Sequence, residues 1–250
     1  MTFDPIFLAV AIPAVLISGL SKGGFGGGLG FISTPLLALV IDPGKAAGLM
    51  LPLLMLMDLG SLPPYWRKWS WPEARRLMVG MVPGVVVAAL TFRMISADGV
   101  RLMVGGIAVG FVVFQILRDQ GWLRPGRVFD TPGWGHFWGA VTGFTSFASH
   151  AGGPPASMYL LATGLDKLRY QATTVVAFWW CNAIKVPPYL MLGMFDTEGA
   201  KAGLMLAPVA LAGVAIGVWA HNRVSETWFF RVTYVLLLAT GLKLIWDALT

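Results

Sequence analysis

Three charged residues stand in stretches that otherwise carry no charge, and they indicate a site for an anion. Lys22 is the only charged residue in a run of 36, Lys185 in a run of 26 and Asp58 in a run of 19. A charge at the centre of a bilayer costs about 2.5–3.5 kcal/mol on insertion scales, so a partner must offset it. A substrate anion would do so for the lysines, whereas Asp58 would pair with a lysine or carry a coupling proton. The alternatives are that Lys22 reaches the headgroups and that Asp58 faces a loop.

Two glycine-rich segments, KGGFGGGLG at 22–30 and SHAGGPP at 149–155, predict breaks in membrane helices. A break frees backbone N–H groups, which is tolerated in a membrane only where they line a cavity or bind something. A helix that starts at such a break points the positive end of its dipole at it and attracts anions. Close helix packing through small residues is the other explanation, and both can hold. The glycines expected to contact the anion are Gly27, Gly28, Gly152 and Gly153.

Further polar side chains lie beside these breaks or on the same helix faces. His150 and Ser149 are candidate donors to the anion, and His150 would titrate near neutral pH unless its role is structural. Asn182 lies three residues before Lys185, so the two share a helix face. The candidate hydroxyl donors are Ser21, Ser61, Thr145 and Ser146.

The scaffold that positions these residues is predicted to be a bundle of membrane-spanning helices. The chain has 250 residues, 56% of them hydrophobic and 12% charged, with a mean hydropathy of +0.72. A soluble domain carries about 25% charged residues, and about 20 apolar residues span a bilayer. The apolar runs lack the alternation of a β-barrel. Ten segments are expected, at about 6–21, 26–41, 46–64, 77–93, 101–118, 134–148, 152–165, 171–192, 201–221 and 228–248.

Several other classes of protein fit the sequence poorly. The formal charge of +6 is better explained by basic cytoplasmic loops than by nucleic-acid binding. The single cysteine excludes an intramolecular disulfide and a multi-cysteine metal site. No hydrolase, Walker or dinucleotide motif is present, so we expect neither an enzyme nor a cofactor or metal. The first segment lacks a basic n-region and is expected to remain as a helix rather than be cleaved.

The two halves of the chain, about 1–124 and 125–250, are related by a shift of 124 residues without a gap. Internal repeats of this kind are typical of secondary transporters, although similar composition in two Gly/Pro-rich stretches is the alternative. The shift also aligns Asp58 with Asn182 and Ser61 with Lys185. The identical matches include Gly19 with Gly143, Gly28 with Gly152, Ser33 with Ser157, Asp42 with Asp166, Pro63-Pro64-Tyr65 with Pro187-Pro188-Tyr189, and Trp122 with Trp246.

The repeats are predicted to be inverted, each opening with a Gly-rich broken or re-entrant helix pair. The loop at 65–76 carries four basic residues, whereas its counterpart at 189–200 carries two acidic residues and no base. The positive-inside rule then puts the first loop in the cytoplasm and the second outside. Each half has five segments, or three if the Gly-rich hairpins enter and leave by one face. Both counts are odd, so the halves are inverted in either case.

The run SGLSKGGFGGGLGFISTPLLALVIDPGKAAG and its echo TGFTSFASHAGGPPASMYLLATGLDKLRYQAT resemble the TauE/SafE sulfite exporter family along the whole chain. The resemblance implies a multi-pass protein of the bacterial inner membrane that transports sulfite, a sulfonate or a sulfoacetate-like anion. The hypothesis is a secondary transporter, an exporter, that works by alternating access with a proton or sodium ion as the coupling ion. A passive anion channel and a membrane subunit or sensor for a partner protein are the alternatives. The sequence leaves the oligomeric state open.

Overall fold

In the computed structural model, which describes residues 5–25, 33–92, 94, 96–122, 132–220, 223 and 225–250, all regular structure is helical. The predicted all-α architecture is therefore confirmed for these residues. Ten described helices follow the ten predicted segments in order. They are α1 (Pro5–Gly24), α2 (Ser33–Ala38), α3 (Pro43–Tyr65), α4 (Trp71–Phe92), α5 (Ala97–Asp119), α6 (Pro132–Ser149), α7 (Gly153–Ala162), α8 (Lys167–Met191), α9 (Thr197–Ala220) and α10 (Glu226–Leu249).

Length and hydropathy alone make four of the described helices, α1, α3, α4 and α9, able to cross a membrane. The two long central helices, α3 and α8, begin in the same way. Asp42 accepts hydrogen bonds from the backbone N–H groups of Gly44 (2.9 Å) and Lys45 (3.2 Å) at the start of α3. Asp166, 124 positions later, accepts one from Arg169 (2.9 Å) at the start of α8. Both are N-caps that satisfy the first free N–H groups of a helix.

Helices of the first half pack on helices of the second: α1 on α9, α4 on α6, α3 on α8 and α5 on α10. The first two pairs are equivalent, because each joins the first helix of one half to the fourth helix of the other. Glycines permit the first two contacts. A Cβ on Gly19 would lie 2.6 Å from the carbonyl oxygen of Ala210, and one on Gly143 would lie 2.3 Å from that of Met81. Helices that cross this closely need residues without a side chain.

The register of these contacts departs from the single gap-free shift that the sequence suggested. Gly19 and Gly143 are 124 positions apart, but their partners Met81 and Ala210 are 129 apart. The starts of α5 and α10, at 97 and 226, are also 129 apart. Trp122 lies beyond the end of α5, whereas Trp246 lies inside α10. The shift of 124 thus describes the glycines of α1 and α6, whereas their contacts on α9 and α4 and the starts of α5 and α10 are displaced by a further five residues.

The break between α6 and α7 spans His150–Gly152. His150 adopts a left-handed conformation with φ 56°, which ends α6 at the preceding residue. Its N–H donates to the carbonyl of Ser146 (2.9 Å). At the first predicted break, α1 ends at Gly24. Residues 26–32, which include Gly27 and Gly28, lie outside the described part of the chain.

Two tyrosines hold the ends of the broken helices in the same way. The hydroxyl of Tyr65, at the end of α3, donates to the carbonyl of Gly23 near the end of α1 (2.7 Å). The hydroxyl of Tyr189, near the end of α8, donates to the carbonyl of Phe147 near the end of α6 (2.5 Å). For Phe147 this bond satisfies a carbonyl that the interrupted helix leaves free, because the N–H of Ala151 donates to Thr145 instead. The two pairs are related by the shift of 124.

Candidate functional site

Lys22 and Asp58 form an ion pair between α1 and α3 inside the protein. Both residues are buried, with 6% of Lys22 and 1% of Asp58 exposed. The second carboxylate oxygen of Asp58 accepts a hydrogen bond from Nδ2 of Asn182 on α8 (2.7 Å). Asp58 therefore has a cationic partner on one oxygen and a neutral donor on the other, as a buried carboxylate requires.

Lys185 on α8 is fully buried and contacts only neutral groups among the described residues. Its ammonium group donates to the carbonyl (3.2 Å) and the hydroxyl (3.0 Å) of Ser146 and to Nδ1 of His150 (2.7 Å). No carboxylate of the described chain lies within ion-pair distance of it. Lys185 is nevertheless within electrostatic range of Asp58 and Lys22. The group thus has three hydrogen-bond acceptors and no direct counter-charge.

The hydrogen bonds assign the tautomer of His150. An ammonium group has no acceptor, so Nδ1 of His150 must accept from Lys185. Nε2 lies 3.0 Å from the carbonyl oxygen of Ala47 on α3, so it must carry the hydrogen and donate. His150 is therefore neutral and bridges α8 to α3. A non-glycine residue in the left-handed region costs free energy, and strain of this kind concentrates at functional sites.

These contacts join four helices into one set of residues, the central polar cluster. Asn182 and Lys185 are three residues apart on α8, so they link the Asp58 pair to the Lys185 group across one helix turn. The members of the cluster are Lys22, Asp58, Ser146, His150, Asn182 and Lys185. Their sequence numbers span both predicted repeats.

The other predicted site residues divide into three groups. Ser61, Thr145 and Ser149 are buried with hydroxyls donating to carbonyls one turn earlier, and Ser21 is buried near the end of α1. Gly152 and Gly153 cap and begin α7 beside the cluster, and a Cβ on Gly152 would lie 2.8 Å from that of Ser146. Contact with an anion remains a prediction for all of them, and also for Gly27 and Gly28, which lie outside the described residues.

Two residues that hold the cluster in place, Gln171 and Tyr65, were not among the predicted site residues. Nε2 of Gln171 on α8 donates to the carbonyl of Lys22 (2.8 Å) and so fixes the backbone that carries the ion pair. Tyr65 holds the next carbonyl, that of Gly23. The repeated Pro-Pro-Tyr motif was a signal for Tyr65. For Gln171 the only signal was an amide side chain in a segment expected to be buried.

Two grooves in the described surface lie away from the cluster. One, of about 390 Å³, runs between α3 and α9 past Leu53 and Phe195, and the other, of about 420 Å³, runs between α4 and α8 past Met78 and Trp180. Both are lined mainly by apolar side chains, as expected of helices that face lipid. Among the described residues no group of His, Cys, Asp and Glu could hold a metal ion.

The helical fold and the buried charges define a multi-pass integral membrane protein with a polar site in its interior. The chain belongs to the sulfite exporter TauE/SafE family, whose model matches residues 11–244. The family consists of membrane transporters rather than enzymes. Membership in it is consistent with a location in the bacterial inner membrane. Searches of curated proteins and of solved structures found no match.

Proposed function

We propose that the protein is a secondary transporter that exports a small sulfur-containing anion, such as sulfite, a sulfonate or sulfoacetate, and that the central polar cluster binds it. The observation that carries the proposal is Lys185, a fully buried cation whose described hydrogen-bond partners are all neutral. An uncompensated charge inside a membrane protein is costly, and a bound anion offsets that cost.

The arrangement around Lys185 suits an oxyanion. Gly152 and Gly153 start α7 next to Ser146, so the positive end of the α7 dipole lies close to the lysine. Because Pro154 and Pro155 have no N–H, the backbone donors at this end are those of the two glycines. The hydroxyl of Ser146 is a further donor, and tetrahedral and pyramidal oxyanions accept several hydrogen bonds at once. The anion would replace contacts that Lys185 makes with the carbonyl and hydroxyl of Ser146.

Alternating access would come from two inverted repeats, residues 1–124 and 125–250, rocking against each other. The paired helix contacts and the matching tyrosine bonds support this arrangement. The length of α7 supports a re-entrant hairpin, because its 10 residues extend about 15 Å, half of the bilayer core. The cluster lies between the halves, where such a motion would change its access.

Ligand binding to the purified protein tests the site. We would measure thermal stability with sulfite, sulfoacetate, taurine, sulfate and a neutral sulfone, for wild type, Lys185→Ala and Lys201→Ala. Lys201 is exposed and pairs with Glu198, so its variant controls for the loss of a lysine charge. At a ligand concentration of about 100 Kd the wild type should gain about 2.7 kcal/mol. The gain should vanish in Lys185→Ala and persist in Lys201→Ala.

Two outcomes would overturn the proposal: no stabilisation by any anion, or the same stabilisation in wild type and Lys185→Ala. Flux in proteoliposomes separates a transporter from a channel. A transporter should show counterflow, in which unlabelled anion on one side drives accumulation of labelled anion from the other. An open pore would only equilibrate the two sides.

A further inference from the structure

The charges of the central polar cluster set how much negative charge the site can hold. Lys22 and Lys185 contribute two positive charges and Asp58 one negative charge, so with His150 neutral the cluster sums to +1. The undescribed residues 26–32 carry no charged side chain and do not alter this sum. A bound monoanion would make the cluster neutral, whereas a dianion would leave one negative charge in the membrane interior.

His150 cannot readily supply the missing positive charge. Its Nδ1 accepts from the ammonium group of Lys185 and its Nε2 faces the carbonyl of Ala47. Protonation of Nδ1 would set two donors against each other and place two cations 2.7 Å apart. The proton would need another acceptor within the cluster.

Asp58 is that acceptor in the described structure. Its carboxylate is the one carboxylate in the cluster, and it forms an ion pair with Lys22. Once protonated it would release Lys22 and could keep its contact with Asn182. Three titratable groups face Asp58: Lys22 from α1, and Lys185 and Cys181 from α8. His150 contacts Lys185. The charged residues of α9, Glu198 and Lys201, lie at the start of that helix, where Lys201 is exposed.

We propose that Asp58 is an internal counter-anion that competes with the substrate for Lys22, so that the site takes a monoanion without a proton and a dianion together with one proton on Asp58. This inference rests on the proposed function of the cluster. It assigns Asp58 the coupling role and makes the number of protons depend on the charge of the substrate. The apparent affinity for a dianion should fall as pH rises, because its binding takes up a proton.

Isothermal titration calorimetry in two buffers of different ionisation enthalpy measures the protons taken up on binding. The probes are methanesulfonate, a monoanion, and sulfoacetate, a dianion. The proteins are wild type, Asp58→Asn and Asp196→Asn, an exposed carboxylate outside the cluster. Wild type should take up no proton with methanesulfonate and about one with sulfoacetate. Asp196→Asn should behave like wild type, and Asp58→Asn should bind sulfoacetate with no uptake.

The outcomes separate the two proposals. If wild type binds neither probe nor sulfite, the proposed function fails. If wild type binds sulfoacetate without proton uptake, or only ever binds the monoanion, the charge limit is wrong. If uptake persists in Asp58→Asn, the proton goes to the carboxylate of sulfoacetate or to another residue, and Asp58 is not the counter-anion. Should Asp58→Asn fail to fold, Asn182→Ala tests the same role, because loss of a donor to the carboxylate should favour its protonation and shift sulfoacetate binding to higher pH.

Discussion

The two buried lysines have different surroundings, and the proposed function depends on this difference. Lys22 is neutralised by Asp58, whereas Lys185 is held by a carbonyl, a hydroxyl and a neutral imidazole. The corresponding positions in the other half hold Ser146 and Ser61. One half thus contributes an ion pair to the cluster and the other an uncompensated cation.

The ion pair predicts a stability effect that is independent of transport. Lys22→Met leaves the carboxylate of Asp58 buried without its cation and should lower the free energy of unfolding by about 3–5 kcal/mol. The double variant Lys22→Met/Asp58→Leu removes both charges and should recover most of that loss. Unfolding by denaturant in detergent micelles measures both. If the double variant is as unstable as the single one, the pair does not act as a unit.

At the scale of helices, the fold depends on glycines at two crossings and on tyrosines at two breaks. Gly19 brings α1 onto α9, and Gly143 brings α6 onto α4. Tyr65 and Tyr189 satisfy carbonyls where α1 and α6 end. Each device occurs once in each half, so the ends of both broken helices are positioned by equivalent contacts.

The close crossings predict that glycines inside helices differ in how well they tolerate substitution by alanine. In Gly143→Ala the new Cβ would lie 2.3 Å from the carbonyl oxygen of Met81, so the helices must separate and stability should fall by about 1–3 kcal/mol. A Cβ on Gly110 in α5 meets nothing within 4 Å. Gly110→Ala should therefore be neutral or stabilising by up to about 1 kcal/mol. Thermal unfolding of the purified variants measures the difference, and equal effects would contradict the close crossing.

In the whole molecule, the first helix of each half packs on the fourth helix of the other half, α1 on α9 and α6 on α4. Two other pairs, α3 with α8 and α5 with α10, join equivalent helices of the two halves. A pseudo-twofold axis would pass between the members of each of these pairs. An axis in the membrane plane would put equivalent loops on opposite sides of the bilayer.

Cysteine labelling tests that geometry. In a Cys181→Ala background we would compare Lys68→Cys, in the loop before α4, with Asp196→Cys, in the loop before α9. Both native side chains are exposed. A membrane-impermeant maleimide should label Asp196→Cys in intact cells, and Lys68→Cys only after the membrane is opened. Labelling of both from one side would show that the halves are parallel.

Much of the fold and part of the candidate site follow from the sequence alone. The membrane class, the ten helical segments, the isolated charges and the family were all predicted from it, because hydropathy, helix length and glycine motifs are local properties that the bilayer selects directly. The sequence left open whether Lys22 reaches the headgroups and whether Asp58 faces a loop, and the structure buries both. The second break was also placed closely, since Gly-Gly-Pro-Pro cannot continue the helix before it.

Only the tertiary structure decided which of these groups meet. Asp58 had two candidate lysines, and helix packing gave it Lys22 rather than Lys185. His150 is predicted to be a donor to the anion, which stays a prediction, and the sequence did not indicate that its ring nitrogens contact Lys185 and Ala47, the latter 103 residues away in sequence. The five-residue offset between the helix pairs was likewise invisible to a gap-free shift. These features depend on how helices far apart in sequence fit against one another, and local patterns carry no information about that fit.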